Sequence, residues 1–340
     1  MGKVSLANMK FWILNIIYII LGILLLPALS AQAQLRLPGG ASLSIKISPE
    51  FPDPGAEVRA ELLSYSLDVN RASITWALDG KALASGVGVK EVSFKAAAHG
   101  AKNTLSASAT SPGGERFETS VVIRPQSVDL ILDAKSRVPH WYRGAALPIS
   151  RTRVVVSAIP NFISSGARIN PSSLQYEWRV DRRLISDFSG RGKDSISVLT
   201  PGLGEVAKEV MVKVSSSDAS LVKEARAMVQ AFSPEILFYE RLPLEGIKTS
   251  LALRTKNLFA GGEFEVQAVP FSMNYSSLSD LSFSWSFDGN ATDPLSGEPD
   301  TLLVKTGGGS EGQSGLIGIL VSNLKTLFES VNASFDVNIQ

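Results

Sequence analysis

Ile74-Thr75-Trp76-Ala77-Leu78-Asp79-Gly80 is one of three copies of the same pattern. The others are Tyr176-Glu177-Trp178-Arg179-Val180-Asp181-Arg182 and Phe283-Ser284-Trp285-Ser286-Phe287-Asp288-Gly289. Each reads Trp, any residue, an apolar residue, Asp and, in two of the three, Gly. Trp76 and Trp178 are 102 residues apart and Trp178 and Trp285 are 107. A self-similarity of that length means one β-sandwich module per copy, not a short solenoid repeat. Within each copy the Trp shares a period of two with its apolar neighbours, which is the signature of a half-buried strand. The Asp-Gly that follows signals a tight turn. An indole on such a strand fills the space between two sheets about 10 Å apart. Trp76, Asp79, Trp178, Asp181, Trp285 and Asp288 are therefore read as the core signature of three modules.

The flanking segments fit the same plan. From Gln34 to Pro125, Leu43/Ile45/Ile47, Val58/Ala60/Leu62, Val92/Phe94, Leu105/Ala107/Ala109 and Phe117/Thr119/Val121/Ile123 alternate around the Trp76 strand. That makes about seven short strands with turn signals every 8–12 residues, a sandwich pattern. A second module spans 126–233 and a third 234–340. Phe264/Val266/Ala268 repeats Val58/Ala60/Leu62, each set preceded by Gly and Glu. Residues 221–229 fit helical spacing as well as strand spacing, and are read as a strand because the other two modules end in one. The expected fold is all-β, three tandem sandwiches behind a targeting segment.

That segment is 1–33. Lys3 and Lys10 precede an apolar run from Phe11 to Leu26, followed by Pro27 and Ala31-Gln32-Ala33. This is the order of a secretory signal, with cleavage expected between Ala33 and Gln34. The competing reading is an uncleaved anchor, which would be the chain's one membrane contact. Either way the protein is expected to be exported, to the periplasm, cell surface or medium.

Composition removes most chemistry. The 340 residues contain no Cys, so neither a disulfide framework nor a thiolate metal site is available. His99 and His140 are the only histidines; each reads as a loop or packing residue rather than the base of a Ser-His-Asp site. No Gly-x-Ser-x-Gly, Walker or His-Glu-x-x-His motif occurs. No catalytic or cofactor residues are assigned. The one metal reading is a Ca²⁺ loop of Asp288, Asn290 and Asp293, which lacks the remaining spacing of a calcium motif. Arg179, Arg182, Arg183, Arg191 and Lys193 gather around the second Trp strand, as a solvated face or as a seat for a polyanion. With a net charge of +1, an exported chain is not expected to bind nucleic acid. Charge is uneven, however. Residues 34–125 carry 10 basic and 9 acidic side chains (+1), residues 126–233 carry 15 and 10 (+5), and residues 234–340 carry 6 and 13 (−7). Attraction between the second and third modules would favour closure at their joint or head-to-tail self-association.

The Trp-x-apolar-Asp-Gly strand, the Gly-Glu openings and the module length resemble the Ig-like and PKD-like β-sandwich repeats of bacterial surface and secreted proteins. Trp285-Ser286-Phe287-Asp288-Gly289 is a reduced form of the PKD motif, and Asp181-Arg182 departs further. The resemblance implies adhesion, spacing or scaffolding at the cell envelope with a protein or surface-glycan partner, and no enzyme activity. Two alternatives accompany it. One is an envelope carbohydrate-binding protein using the loop aromatics Trp141 and Tyr142. The other is an enzyme with an unrecognised site.

Overall fold

The computed structural model describes residues 43–326 and 329–340. The expected signal segment, with its cleavage point between Ala33 and Gln34, lies outside the described residues. Module one contains β1 (Leu43–Ser48), β2 (Glu57–Ser64), β3 (Ser73–Leu78), β4 (Lys81–Val87), β5 (Glu91–Lys95), β6 (Asn103–Thr110) and β7 (Arg116–Ile123). A three-stranded sheet, β1-β2-β5, packs on a four-stranded sheet, β4-β3-β6-β7. Alternation decides which side chains enter the core: Val58, Ala60 and Leu62 of β2, Ile74 and Trp76 of β3, and Leu105, Ala107 and Ala109 of β6. Trp76 lies opposite Ala107, where a small neighbour leaves room for the indole.

Module two repeats this order with β8 (Ser127–Ala134), β9 (Arg153–Asn161), a small hairpin β10 (Ile163–Ser164) and β11 (Ala167–Arg168), β12 (Gln175–Val180), β13 (Arg183–Leu184), β14 (Gly190–Arg191), β15 (Ser195–Leu199), β16 (Lys208–Ser215) and β17 (Val222–Val229). Its sheets are β15-β9-β8 and β13-β12-β16-β17, with β14 also on β12. The segment with mixed periodicity is strand β17. A tight turn explains why: Ser216 N–H donates to the Leu221 carbonyl at 3.0 Å, and Leu221 N–H donates to Ser216 Oγ at 3.1 Å. This folds the chain straight back along β16, from the Ser215–Val222 rung to Lys208–Val229.

Module three comprises β18 (Glu235–Leu242), β19 (Gly246–Ile247), β20 (Thr255–Leu258), β21 (Glu263–Phe271), β22 (Leu281–Phe287), β23 (Asn290–Thr292), β24 (Thr301–Lys305), β25 (Ser314–Asn323) and β26 (Ser330–Ile339). Its sheets are β19-β18-β21-β24 and β20-β26-β25-β22-β23. The added β20 runs parallel to the last strand, β26. Each module thus pairs its first, second and fifth main strands in one sheet and stacks them on a sheet built around the Trp strand. The chain is a tandem of three Ig-like β-sandwiches. The modules differ most in the connection from first to second strand, which is residues 49–56 in module one, 135–152 in module two and 243–262 in module three.

Candidate functional site

The three Trp side chains sit at the same place in three separate cores, exposed by 0 %, 0 % and 3 %. Each indole N–H needs an acceptor in the dry interior, and each finds a carbonyl two residues before the fifth strand. Trp76 donates to Val89 at 2.8 Å, Trp178 to Lys193 at 2.8 Å and Trp285 to Pro299 at 3.0 Å. The bond ties one sheet to the loop that leads into the other.

The Asp residues perform a second repeated task. Asp79, Asp181 and Asp288 have φ of 51°, 48° and 46°, and the next residues, Gly80, Arg182 and Gly289, have φ of 79°, 68° and 81°. Two consecutive positive-φ residues make a two-residue hairpin turn of type I′. Its carboxylate grips the sixth main strand: Oδ1 accepts from Thr104 N–H at 2.7 Å, Glu209 N–H at 3.0 Å and Leu316 N–H at 2.8 Å. The same three residues return their carbonyls to the Asp N–H, each at 2.9 Å. Asp288, the first residue of the candidate Ca²⁺ loop, therefore has a structural partner already. Among the described residues no three His, Asp or Glu side chains converge as a metal-holding group. The N–H of Thr104, then the Asn103 side chain, hold the Asp79 carboxyl below its usual range.

The basic run around Trp178 does not form one patch. Arg182 and Arg183 lie at the hairpin tip, beyond the Val180 end of β12, whereas Arg191 pairs with Gln175 at its other end. Five residues of strand separate the ends by roughly 17 Å. Arg179 is balanced by Glu177 at 2.7 Å, and Lys193 Nζ donates to the Asp187 carbonyl at 2.7 Å.

Several buried polar residues lie where modules meet. Lys223 is on β17 at a place where alternation demands an inward side chain, and it is only 7 % exposed. Its ammonium leaves module two, donates to the Phe51 carbonyl at 2.9 Å and pairs with Asp53 at 2.7 Å. Lys213 lies over the Phe51 ring, 5.4 Å from its centre. Nearby, Gln126 is buried; its Oε1 accepts from Ile163 N–H at 2.8 Å. His99 of module one contacts Ser127 Oγ at 3.1 Å and Asn161 Nδ2 at 3.4 Å of module two.

At the second joint, the long connection of module two forms a strap over module three. Arg137 N–H donates to the Met273 carbonyl at 2.7 Å, and Leu147 N–H to Ser272 Oγ at 3.0 Å. Trp141 meets Tyr239 and Phe271 edge to face at 5.3 and 5.9 Å. Tyr142 meets Phe271 at 5.3 Å and stays 45 % exposed, and His140 is exposed. Trp141, Tyr239 and Phe271 make a fourth apolar cluster with Val269, Leu237 and Val138, outside the three sandwich cores. Among the described residues no ion pair crosses this joint, and its close contacts are these two hydrogen bonds and the aromatic rings. Sequence reasoning missed Lys223 and the strap. A Lys in phase with Ala225, Ala227 and Val229 was the available signal for the first, and two aromatics in a long connection for the second.

No protein-family model matches the chain, and no curated protein matches it. Among solved structures, the three N-terminal domains of the bacteriophage RB49 highly immunogenic outer capsid protein align at 11 % identity and a TM-score of 0.25, covering 88 % of this chain and 99 % of that one. The central fibronectin-III array of RIM-binding protein aligns at 13 % identity and a TM-score of 0.29, covering 87 % and 96 %. The Bacteroides ovatus mixed-linkage glucan utilization locus protein SGBP-B, solved with a heptasaccharide, aligns at 13 % identity and a TM-score of 0.20, covering 87 % and 70 %. The fold follows from the strand order itself. No helix among the described residues is long and apolar enough to cross a membrane.

Proposed function

We propose that this chain is an exported, non-enzymatic spacer or scaffold of the cell envelope, with domains 34–125, 126–233 and 234–340. The observation that carries the reading is the joint around Lys223. Burying an ammonium is costly unless it is paired and hydrogen-bonded. Here that cost is met by a carboxylate and a carbonyl of the neighbouring module. Such a contact contributes nothing to either sandwich alone; its effect is to hold one module against the next. The strap does the same at the second joint with aromatic packing. Holding successive modules in a set relation is what a spacer or scaffold requires.

The same packing weighs against a glycan platform on the loop aromatics. Trp141 is engaged edge to face with Tyr239 and Phe271, which leaves Tyr142 the more exposed of the two. The test is crosslinking of the protein in its native cells with identification of the attached molecules, run beside a glycan array and a broad hydrolase screen. Reproducible attachment to envelope proteins, with neither glycan binding nor turnover, supports the proposal. Saturable glycan binding or turnover by the purified chain overturns it.

A further inference from the structure

The open seam of module one is a second feature of the fold, independent of the spacer reading. In a sandwich of this topology the first and last strands face each other along one side without pairing. Module three closes that seam with β20, laid parallel to β26 from the Thr255–Asp336 rung to Leu258–Ile339. Module two closes it with the end of its strap, where Ile149 and Phe232 form a parallel bridge. Module one has only residues 49–56 between β1 and β2, and among the described residues nothing lies in its seam.

The consequence is visible in burial. Ile45 lies opposite Leu62, and Phe238 opposite Ala268; Leu62 and Ala268 each come four residues after the first inward residue of the second strand, Val58 or Phe264. Counting from the Trp rungs, Val121 and Phe335 are likewise equivalent. Phe238 and Phe335 are 3 % and 1 % exposed, whereas Ile45 and Val121 are left half-buried. Between them runs a cleft of about 570 Å³ that also reaches the β16–β17 turn of module two. In module three the incoming strand receives a hydrogen bond from the outer edge of β26, Asp336 N–H to the Arg254 carbonyl at 3.2 Å. Val122 holds the equivalent place in module one and is 43 % exposed.

We propose that this seam binds an extended peptide of a partner protein, added as a strand parallel to β7. Its chemistry follows from comparing the two seams. In module three Glu240 points into the seam, and the occupant answers with Lys256 at 2.5 Å. The equivalent residue in module one is Ile47, so the inward residues of the peptide are apolar. The charges beside the cleft are Lys46, Arg124 and Glu50, a net positive rim, so its outward residues are acidic. Contact with the β16–β17 turn would let the peptide touch modules one and two together.

The test uses the full chain and dye-labelled synthetic peptides, read by fluorescence anisotropy and amide exchange. The probe is a peptide of alternating Glu and Val, compared with versions carrying a central Pro, a Lys in place of the central Val, or Lys in place of every Glu. Expected are binding of the first, protection of the Val122 amide, and at least about tenfold weaker binding of the others, the weight of a single good interaction. Arg124→Glu, an exposed change that spares the core, should weaken the acidic peptide by about tenfold. Ile47→Glu should reverse the order, so that the peptide with a central Lys binds better. Equal binding of the Pro-interrupted peptide, or no reversal in a folded Ile47→Glu protein, overturns the proposal. So does a concentration-dependent dimer that the peptide disperses, because the occupant would then be a second copy of this chain.

Discussion

Asp79 and Thr104 bond each other twice. Thr104 N–H donates to Asp79 Oδ1 at 2.7 Å, and Asp79 N–H donates to the Thr104 carbonyl at 2.9 Å. The carboxylate thereby pins a type I′ turn to a strand 25 residues further on, and modules two and three repeat the arrangement. Replacing Asp79 by Ala leaves the Thr104 amide without its partner and the left-handed turn without its anchor. The expected result is a fall of about 5 °C in the melting temperature of module one, the scale of one lost hydrogen-bonded group in a hundred-residue domain. Asp79→Asn keeps one acceptor oxygen and should lose less. Differential scanning calorimetry checks both.

Arg182 offers the opposite test. It occupies the second turn position with φ of 68°, where Gly80 and Gly289 stand in the other modules. A residue with a Cβ is strained there by roughly 1–2 kcal/mol, and Gly is not. Arg182→Gly should therefore stabilise module two by about 1 kcal/mol, after Gly's larger entropy in the unfolded chain is deducted. Urea unfolding followed by Trp fluorescence measures it.

Removing a central indole is far more damaging. Trp178→Ala opens a cavity in a core lined by Tyr176, Val212 and Ile196 and strands the Lys193 carbonyl. The expected cost is about 3–5 kcal/mol, borne mainly by module two. Because the strap and Lys223 belong to that module, both neighbours should lose their joint contacts as well. Amide exchange resolves the three modules and would report the loss of the second joint at the Arg137 and Leu147 amides, whose acceptors lie in module three.

Acid should act through a few carboxylates held well below their usual range. The Lys325 ammonium and the N–H groups of Ser276 and Ser277 bring Asp280 to about 2; the Ser216 hydroxyl and the Ser220 N–H bring Asp218 to about 2. A depressed folded pKa adds stability above the unfolded value, near 3.9, that is lost as pH falls toward the folded one. Urea midpoints should thus drop between about pH 4 and pH 2. Asp280→Asn should start lower and show a shallower drop.

The fold class was legible because a period of two around a Trp survives in each module, and because turn residues punctuate it. Position β17 was ambiguous from spacing alone; the Ser216–Leu221 turn resolves it through side-chain hydrogen bonds that periodicity does not encode. Strand β20 was not legible at all. Thr255-Lys256-Asn257-Leu258 has one core residue, Leu258, and one ion-paired residue, Lys256, and its pairing depends on a strand about eighty residues away. The joints were hidden for a related reason. Trp141 and Tyr142 read as loop aromatics, and Lys223 only as one more residue of a strand, until another module supplies their partners. Composition showed the opposite net charges of modules two and three but not the aromatic and hydrogen-bonded contacts that join them.

The modules are joined by specific contacts at both joints. Hydrogen–deuterium exchange of the full chain tests this most directly at Arg137 and Leu147, whose amides have acceptors only in module three. Both should be protected well beyond the rate of a solvent-exposed loop, and Trp141→Ala should remove this protection while the sandwich cores keep theirs. Exchange of both amides at the rate of an unstructured chain would contradict it.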